Sequence, residues 1–248
     1  MKEWEEYRFV INGLDVQCKY TKRVIEEIFK PLLRHLTELQ KKKGERIIVF
    51  LSAAPAVGKS TLVSFLEYLS DYISDAGNIQ ALGMDGFHYH SDYIKTHDAL
   101  IDGKLVPMQM VKGCPETFDL DKLKEMIVKM KQKNITWPVY DRKIHDVVED
   151  AVKVTGDIIL IEGNWLLLNE GNWSSLKELC DYSIRIRGDR EVLKKRLIDR
   201  KIAGGLAKNE AVKFYQNSDS KNVTRALNNL SSADLELFME QDGDFLKM

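Results

Sequence analysis

Ile47-Ile48-Val49-Phe50-Leu51-Ser52-Ala53-Ala54-Pro55-Ala56-Val57-Gly58-Lys59-Ser60-Thr61-Leu62-Val63-Ser64-Phe65-Leu66 decides the fold. Its first five residues are an unbroken apolar run rich in β-branched side chains, the composition of a strand buried on both faces of a parallel sheet. Small residues follow, and after Lys59-Ser60-Thr61 the residues Leu62, Val63, Phe65, Leu66 and Leu69 continue as the apolar face of a helix. Strand, loop and helix start together make a phosphate cradle. Backbone N–H groups along Ala54-Pro55-Ala56-Val57-Gly58-Lys59-Ser60-Thr61, proline excepted, and the positive end of the helix dipole converge on a triphosphate, with Lys59 as a mobile cation and Ser60 as a Mg²⁺ ligand. Ala53 stands where such loops carry their first glycine, and Ala56 fills another position often held by glycine. Positive φ at Ala53 would strain the loop, so an ordinary backbone is expected there.

At 248 residues and 44% hydrophobic content the chain is long enough to bury one large α/β core, with room for a small appendage. Its 37 basic and 38 acidic residues leave a net charge of −1, so no global field recruits nucleic acid or an anionic membrane. Cys18, Cys114 and Cys180 are far apart and form no CxxC pair, which fits a reducing compartment. No apolar run approaches the ~20 residues of a membrane span, and the acidic opening Met1-Lys2-Glu3-Trp4-Glu5-Glu6 is unlike a secretory signal. A cytoplasmic protein is expected.

Working outward, Tyr7 to Tyr20 alternates around Asn12-Gly13, the signature of a β-hairpin. Apolar residues then recur at helical spacing from Val24 to Leu39, with Pro31 as a kink and Lys41-Lys42-Lys43-Gly44 as a solvated end. This arm offers a surface for the sheet or for a homodimer contact. Downstream, Ile79–Met84 reads as a strand ending in Asp85-Gly86-Phe87-His88-Tyr89-His90, which puts Asp85 on the ligand-binding edge of the sheet. There Asp85 would accept or orient the proton of an attacking hydroxyl. His88 and His90 have no third metal ligand at suitable spacing, so substrate contact or loop packing is the reading for them. The polar stretch Ser91–Met110, with a turn at Asp102-Gly103, suits an acceptor-side insertion or lid.

Lys112 and Glu116 precede a helix capped near Asp119; they suit either a polar acceptor or the helix entry. Trp137-Pro138-Val139-Tyr140-Asp141-Arg142 is extended, and Arg142 offers a planar donor fork to acceptor or phosphate oxygens, or else a structural ion pair. A further apolar strand, Ile158–Ile161, ends at Glu162, on the same edge as the loop and able to hold Mg²⁺. Arg196 and Arg200 share a helix face and could reach phosphoryl oxygens from a lid. Asn217–Asn222 reads as a polar turn, and Asp234–Lys247 as a terminal hairpin around Asp242-Gly243.

These motifs, in this order, resemble the phosphoribulokinase/uridine kinase family of P-loop kinases, closest to the bacterial pantothenate kinases and a related nucleoside or sugar kinase-like branch. The resemblance spans about Ile47 to Asn222 and rests on Gly58-Lys59-Ser60-Thr61, Asp85-Gly86-Phe87, Lys112-Gly113-Cys114-Pro115-Glu116-Thr117-Phe118-Asp119, Pro138-Val139-Tyr140-Asp141 and Ile161-Glu162-Gly163. It implies an α/β, three-layer P-loop NTPase fold with a mainly parallel sheet, here with an amino-terminal hairpin and helix. Residues 1–45 would be that arm and 46–248 the kinase domain. It implies ATP and Mg²⁺, and γ-phosphoryl transfer to the hydroxyl of a pantothenate-, nucleoside- or sugar-like molecule. In that frame Lys59, Asp85, Glu162 and Arg200 are catalytic, and the loop with Arg196 binds ATP. Ser60 and Glu162 serve the metal, while His88, Lys112, Glu116, Tyr140 and Arg142 face the acceptor. Arg142 lies where pantothenate kinases usually carry a histidine, a departure that counts against pantothenate itself. The rival reading is a nucleotide-binding regulator or ATPase switch built on the same cradle.

Overall fold

The structure, a computed structural model, describes residues 2–11 and 13–248. In chain order, a hairpin of β1 (Trp4–Ile11) and β2 (Leu14–Thr21) leads through α1 (Lys22–Val24) and a π-helical stretch into α2 (Lys30–Lys43). Next come β3 (Ile47–Ala53), α3 (Lys59–Ser70), β4 (Ile79–Gly83), α4 (Ser91–Thr96) and a small hairpin of β5 (Asp98–Ile101) and β6 (Lys104–Pro107). After α5 (Leu120–Gln132), β7 (Ile135–Asp141) and β8 (Asp146–Val154) form a long hairpin, followed by β9 (Ile158–Gly163) and β10 (Tyr182–Gly188). The chain ends with α6 (Arg190–Ala203), α7 (Lys208–Phe214), α8 (Ser220–Asn229), β11 (Leu235–Met239) and β12 (Phe245–Lys247).

The central sheet runs β12-β11-β10-β3-β9-β4, parallel throughout except for the antiparallel edge strand β12. Every residue of β3 and β9 is buried, as unbroken apolar runs demand when helices cover both faces. In register, Glu162 of β9 lies between Leu51 of β3 and Gly83 of β4, so the carboxyl ends of these three strands define one edge. A Cβ at Gly86 would overlap the carbonyl of Pro138, which lets β7 lie directly against the turn that carries Asp85.

The opening hairpin forms as the alternation predicts, in full register from Trp4↔Thr21 to Ile11↔Leu14. Gly13 has φ +77°, whereas Asn12, its partner in the predicted turn, lies outside the described residues. In the helix after it Pro31 falls in the first turn of α2. A π-helical stretch over Ile25–Phe29 precedes it, and the helix ends at Gly44 in the left-handed conformation. Val24, Ile28, Phe29, Leu33 and Leu36 join the same core as the sheet, so the helix packs on the sheet of its own chain.

The sequence reading also needs correction near the end. Asn217–Asn222 is not a turn: a π-helical stretch over Tyr215–Asp219 joins α7 to α8. Tyr215, Val223 and Ala226 bury one face of this run, and that burial overrides its polar composition. The expected terminal hairpin is present as β11 and β12, turning at Gly243 with φ +93°.

Candidate active site

The loop after β3 has the ordinary backbone expected at Ala53 and places its left-handed residues further on. Ala53 is an ordinary, fully buried strand residue, and Ala54 and Val57 are buried as well. The left-handed residues are Ala56, at φ +67°, and Gly58, at φ +100°, which caps α3. Glycine adopts such a backbone freely, but alanine pays roughly 1–2 kcal/mol for it. Only the second of these positions is filled by glycine.

Lys59 opens α3 and is 7% exposed. Its Nζ donates to Oδ1 of Asn164 at 2.6 Å and to the carbonyl of Ala54 at 3.2 Å. Burial pushes its ammonium below the ordinary lysine value, against the pull of Glu162 and Asp85. One residue on, the Ser60 hydroxyl donates to Oε1 of Glu162 at 2.6 Å. Burial holds the Glu162 carboxyl above the usual range; nearby Asp85 reinforces this and Lys59 opposes it. A buried carboxylate and a half-buried hydroxyl beside a lysine, at the positive end of a helix, fit a triphosphate with its Mg²⁺.

These groups line a cavity of about 340 Å³, into which come Pro55, Ala56, Gly58 and Thr61 of the loop, Asp85, Arg142, Arg196 and Arg200. Residues far apart in the chain thus meet on one strand-end edge. Burial, with Arg142 nearby, lowers the Arg200 pKa, while Asp219 and Asp85 act the other way. Arg196 faces the loop itself. Its Nη1 donates to the carbonyls of Ala56 and Val57 at 3.3 and 3.4 Å and contacts Sδ of Met239 at 3.0 Å, so it braces the cradle.

The acceptor candidates divide. Lys112 Nζ donates to the Tyr140 hydroxyl at 2.8 Å, and His88 stands edge-on to the Tyr140 ring at 5.6 Å. His88 also stacks on Phe118 at 3.8 Å with Nδ1 3.2 Å from the Thr117 carbonyl, and its burial favours the neutral imidazole. His90 turns away towards Asp146 and Glu149, and among the described residues no cluster of His, Cys, Asp and Glu could hold a metal ion. Glu116 stands apart from these: it is ion-paired with Arg225 at 2.8 Å and lines a second cavity.

Two contributions escaped the sequence reading. Asn164, just beyond the Glu162-Gly163 strand end, is the hydrogen-bond acceptor for Lys59, and its place after that pair was the signal. Ile11, Leu14 and Val16 also line the cavity. Tyr7 of the hairpin packs on Phe65 of α3 at 4.6 Å, and a Cβ at Gly13 would lie 3.3 Å from Lys143, next to Arg142. The hairpin therefore crosses the mouth of the site.

Comparison with known proteins supplies the family. No family model matches the chain. An uncharacterized protein, YggC of Escherichia coli K12, is 42% identical over 236 residues, 95% of this chain and 96% of its own length. The protein named "Putative uridine kinase C227.14" of Schizosaccharomyces pombe is 27% identical over 203 residues, 79% of this chain and 84% of its own. Among solved structures, one titled "putative fructose transport system kinase", from Silicibacter sp. TM1040, superposes with a TM-score of 0.69 at 28% identity. It covers 81% of this chain and 98% of its own. The chain belongs to the phosphoribulokinase/uridine kinase family of P-loop kinases. The α/β P-loop fold with its added hairpin and helix is as the sequence implied, and the enzyme class is that of a phosphotransferase with an alcohol group as acceptor. P-loop kinases use ATP. No helix in the described residues is long and apolar enough to cross a membrane.

Proposed function

We propose that the protein transfers the γ-phosphoryl group of ATP to a hydroxyl of a small metabolite, with Mg²⁺ as the metal. The observation that carries this reading is the convergence of Lys59, Ser60, Asp85, Arg142, Glu162 and Arg200 on one cavity. Phosphoryl transfer asks the protein mainly for positioning and charge neutralisation, and this set offers both. Lys59, Arg142 and Arg200 neutralise phosphoryl oxygens, and each such group typically lowers a barrier by about 3 kcal/mol. Ser60 and Glu162 would hold Mg²⁺, which when bound draws charge from the phosphates. Asp85 orients the acceptor hydroxyl and takes up its proton. Arg196 keeps the loop in shape through the Ala56 and Val57 carbonyls.

The acceptor is pantothenate-, nucleoside- or sugar-like. Arg142, in place of the histidine usual in pantothenate kinases, weighs against the first, and the names of the Schizosaccharomyces and Silicibacter relatives favour the other two. The test is ADP release from MgATP with a panel of nucleosides, sugars, pantothenate and glycerate. One compound should stimulate release strongly, and Lys59→Ala and Asp85→Asn should each lower it by at least about a thousandfold while thermal unfolding stays cooperative. Full turnover in Asp85→Asn removes that residue from the mechanism. ATP consumption that ignores every acceptor favours the ATPase switch.

A further inference from the structure

A second cavity, of about 770 Å³, lies between the β5–β6 hairpin, the Val111–Cys114 segment and the helical run ending in α8. Among its charged lining groups, three carboxylates (Asp102, Glu116 and Glu170) face two cations, Lys221 and Arg225. Arg225 is already spent: it meets Glu116 at 2.8 Å and Glu170 at 2.6 Å. A bound anion would find that guanidinium saturated and the carboxylates repelling it.

Lys221 is the other lining cation, and with Asp102 on the same lining the charged groups keep one negative charge in excess; what remains to bind a ligand is polar but uncharged. Thr224 and Ser220 send their hydroxyl protons back to helix carbonyls, at 2.8 and 3.0 Å. The amides of Asn217, Asn222 and Asn228 line the same wall. An amide offers both a donor and an acceptor, which matches a hydroxyl, itself both. Opposite stand Leu100, Ile101 and Val111, an apolar surface for C–H groups, and no aromatic side chain lines the cavity among the described residues to stack a nucleobase.

Segments that line this cavity also reach towards the phosphate site. Lys112, between the lining residue Val111 and Gly113, reaches Tyr140, two residues from Arg142. Asn222 Nδ2 lies 3.7 Å from where a Gly113 Cβ would be. On the other side Asp219, between the lining residues Ser218 and Ser220, acts on Arg200.

Resting on the kinase reading above, we propose that this second cavity seats the non-reacting part of the acceptor, and that the acceptor is an uncharged sugar or sugar alcohol. Carboxylate acceptors such as pantothenate and glycerate are refused by the Glu116–Arg225–Glu170 arrangement. Binding without turnover tests this: calorimetric titration of hexoses, pentoses, their alditols, uridine, pantothenate and glycerate into the full chain with a non-hydrolysable MgATP analogue. At least one sugar or alditol should bind at least about tenfold tighter than uridine, pantothenate or glycerate. Asn222→Leu should weaken that binding about tenfold with nucleotide binding and thermal unfolding unchanged. Glu170→Gln, which frees one edge of Arg225, should narrow the preference over glycerate. Equal or tighter binding of a carboxylate or of uridine overturns the proposal, as does an Asn222→Leu protein that binds sugar normally, or failure of every sugar and alditol at millimolar concentration. Failure of the kinase reading would register separately, as ADP release from MgATP that no compound of the panel stimulates.

Discussion

At the scale of single residues, the loop carries alanine where its backbone is left-handed. Ala56→Gly relieves a conformational cost of roughly 1–2 kcal/mol but gives back up to about 1 kcal/mol in unfolded-chain entropy. The net expectation is a gain of about 0.5 kcal/mol in chemical denaturation with nucleotide affinity undiminished; a clear loss of stability would mean that the Ala56 methyl packs usefully. Glu162 yields a pH dependence. Its carboxyl is held above the ordinary glutamate value of 4.5, so the unliganded fold favours the protonated form, and its contribution to stability declines as pH rises through the folded pKa. Magnesium needs the carboxylate, so MgATP affinity should climb over that same interval and then level off. Glu162→Gln should flatten both trends and weaken MgATP by about tenfold or more in titrations across pH. Lys59, Ser60, Asp85 and Glu162 were legible in the sequence because strand ends and a loop motif fix their place. The pairing of Glu116 was not legible, because its partner, Arg225, is more than a hundred residues away and no local pattern announces the pair.

At the scale of elements, alternation and a turn dipeptide were enough to read β1 and β2 as a hairpin, but not to say what it covers. Alternation defines an inward face, here Tyr7 and Phe9 against Phe65 and Tyr68, and is silent about the neighbour. Likewise β8, with charges spread through Asp146–Val154, lacks a clean alternation and went unread, although it pairs with β7 along its length. The buried strands β3 and β9 were plain, because apolar runs between small residues have few other fates. The hairpin's position suggests its work. With Ile11 and Leu14 over the phosphate cavity, it shields the reacting centre from water. Replacing both with serine should raise acceptor-independent ADP release about tenfold relative to the parent. The variant should remain folded, since Leu14 is 44% exposed. Unchanged basal hydrolysis in a folded variant would show that the hairpin is no water barrier.

For the whole molecule, the two ends of the chain are held together at one buried carboxylate. Asp244, in the turn before β12, accepts from the Thr21 hydroxyl at 2.9 Å and from Arg23 at 3.0 Å, and Lys2 lies 3.2 Å away. These contacts fasten the hairpin and its helix to the far edge of the central sheet. Burial alone would raise the Asp244 pKa, but the hydrogen bonds from Arg23, Thr21 and Lys2 prevail and hold it below the ordinary aspartate value of 3.8. A depressed pKa means that the carboxylate adds stability above the unfolded value, and that this share is lost as pH falls through the folded one. Asp244→Asn keeps an acceptor for Thr21 but removes the charge. With Lys2 and Arg23 both partly exposed, the loss is about 2 kcal/mol near neutrality. Urea midpoints of the parent and variant, measured from pH 7 down to the onset of acid unfolding, should differ by a constant amount until about pH 4 and converge below it. A gap that persists unchanged into acid would assign the effect to shape rather than charge, and the two ends would then be held by packing alone.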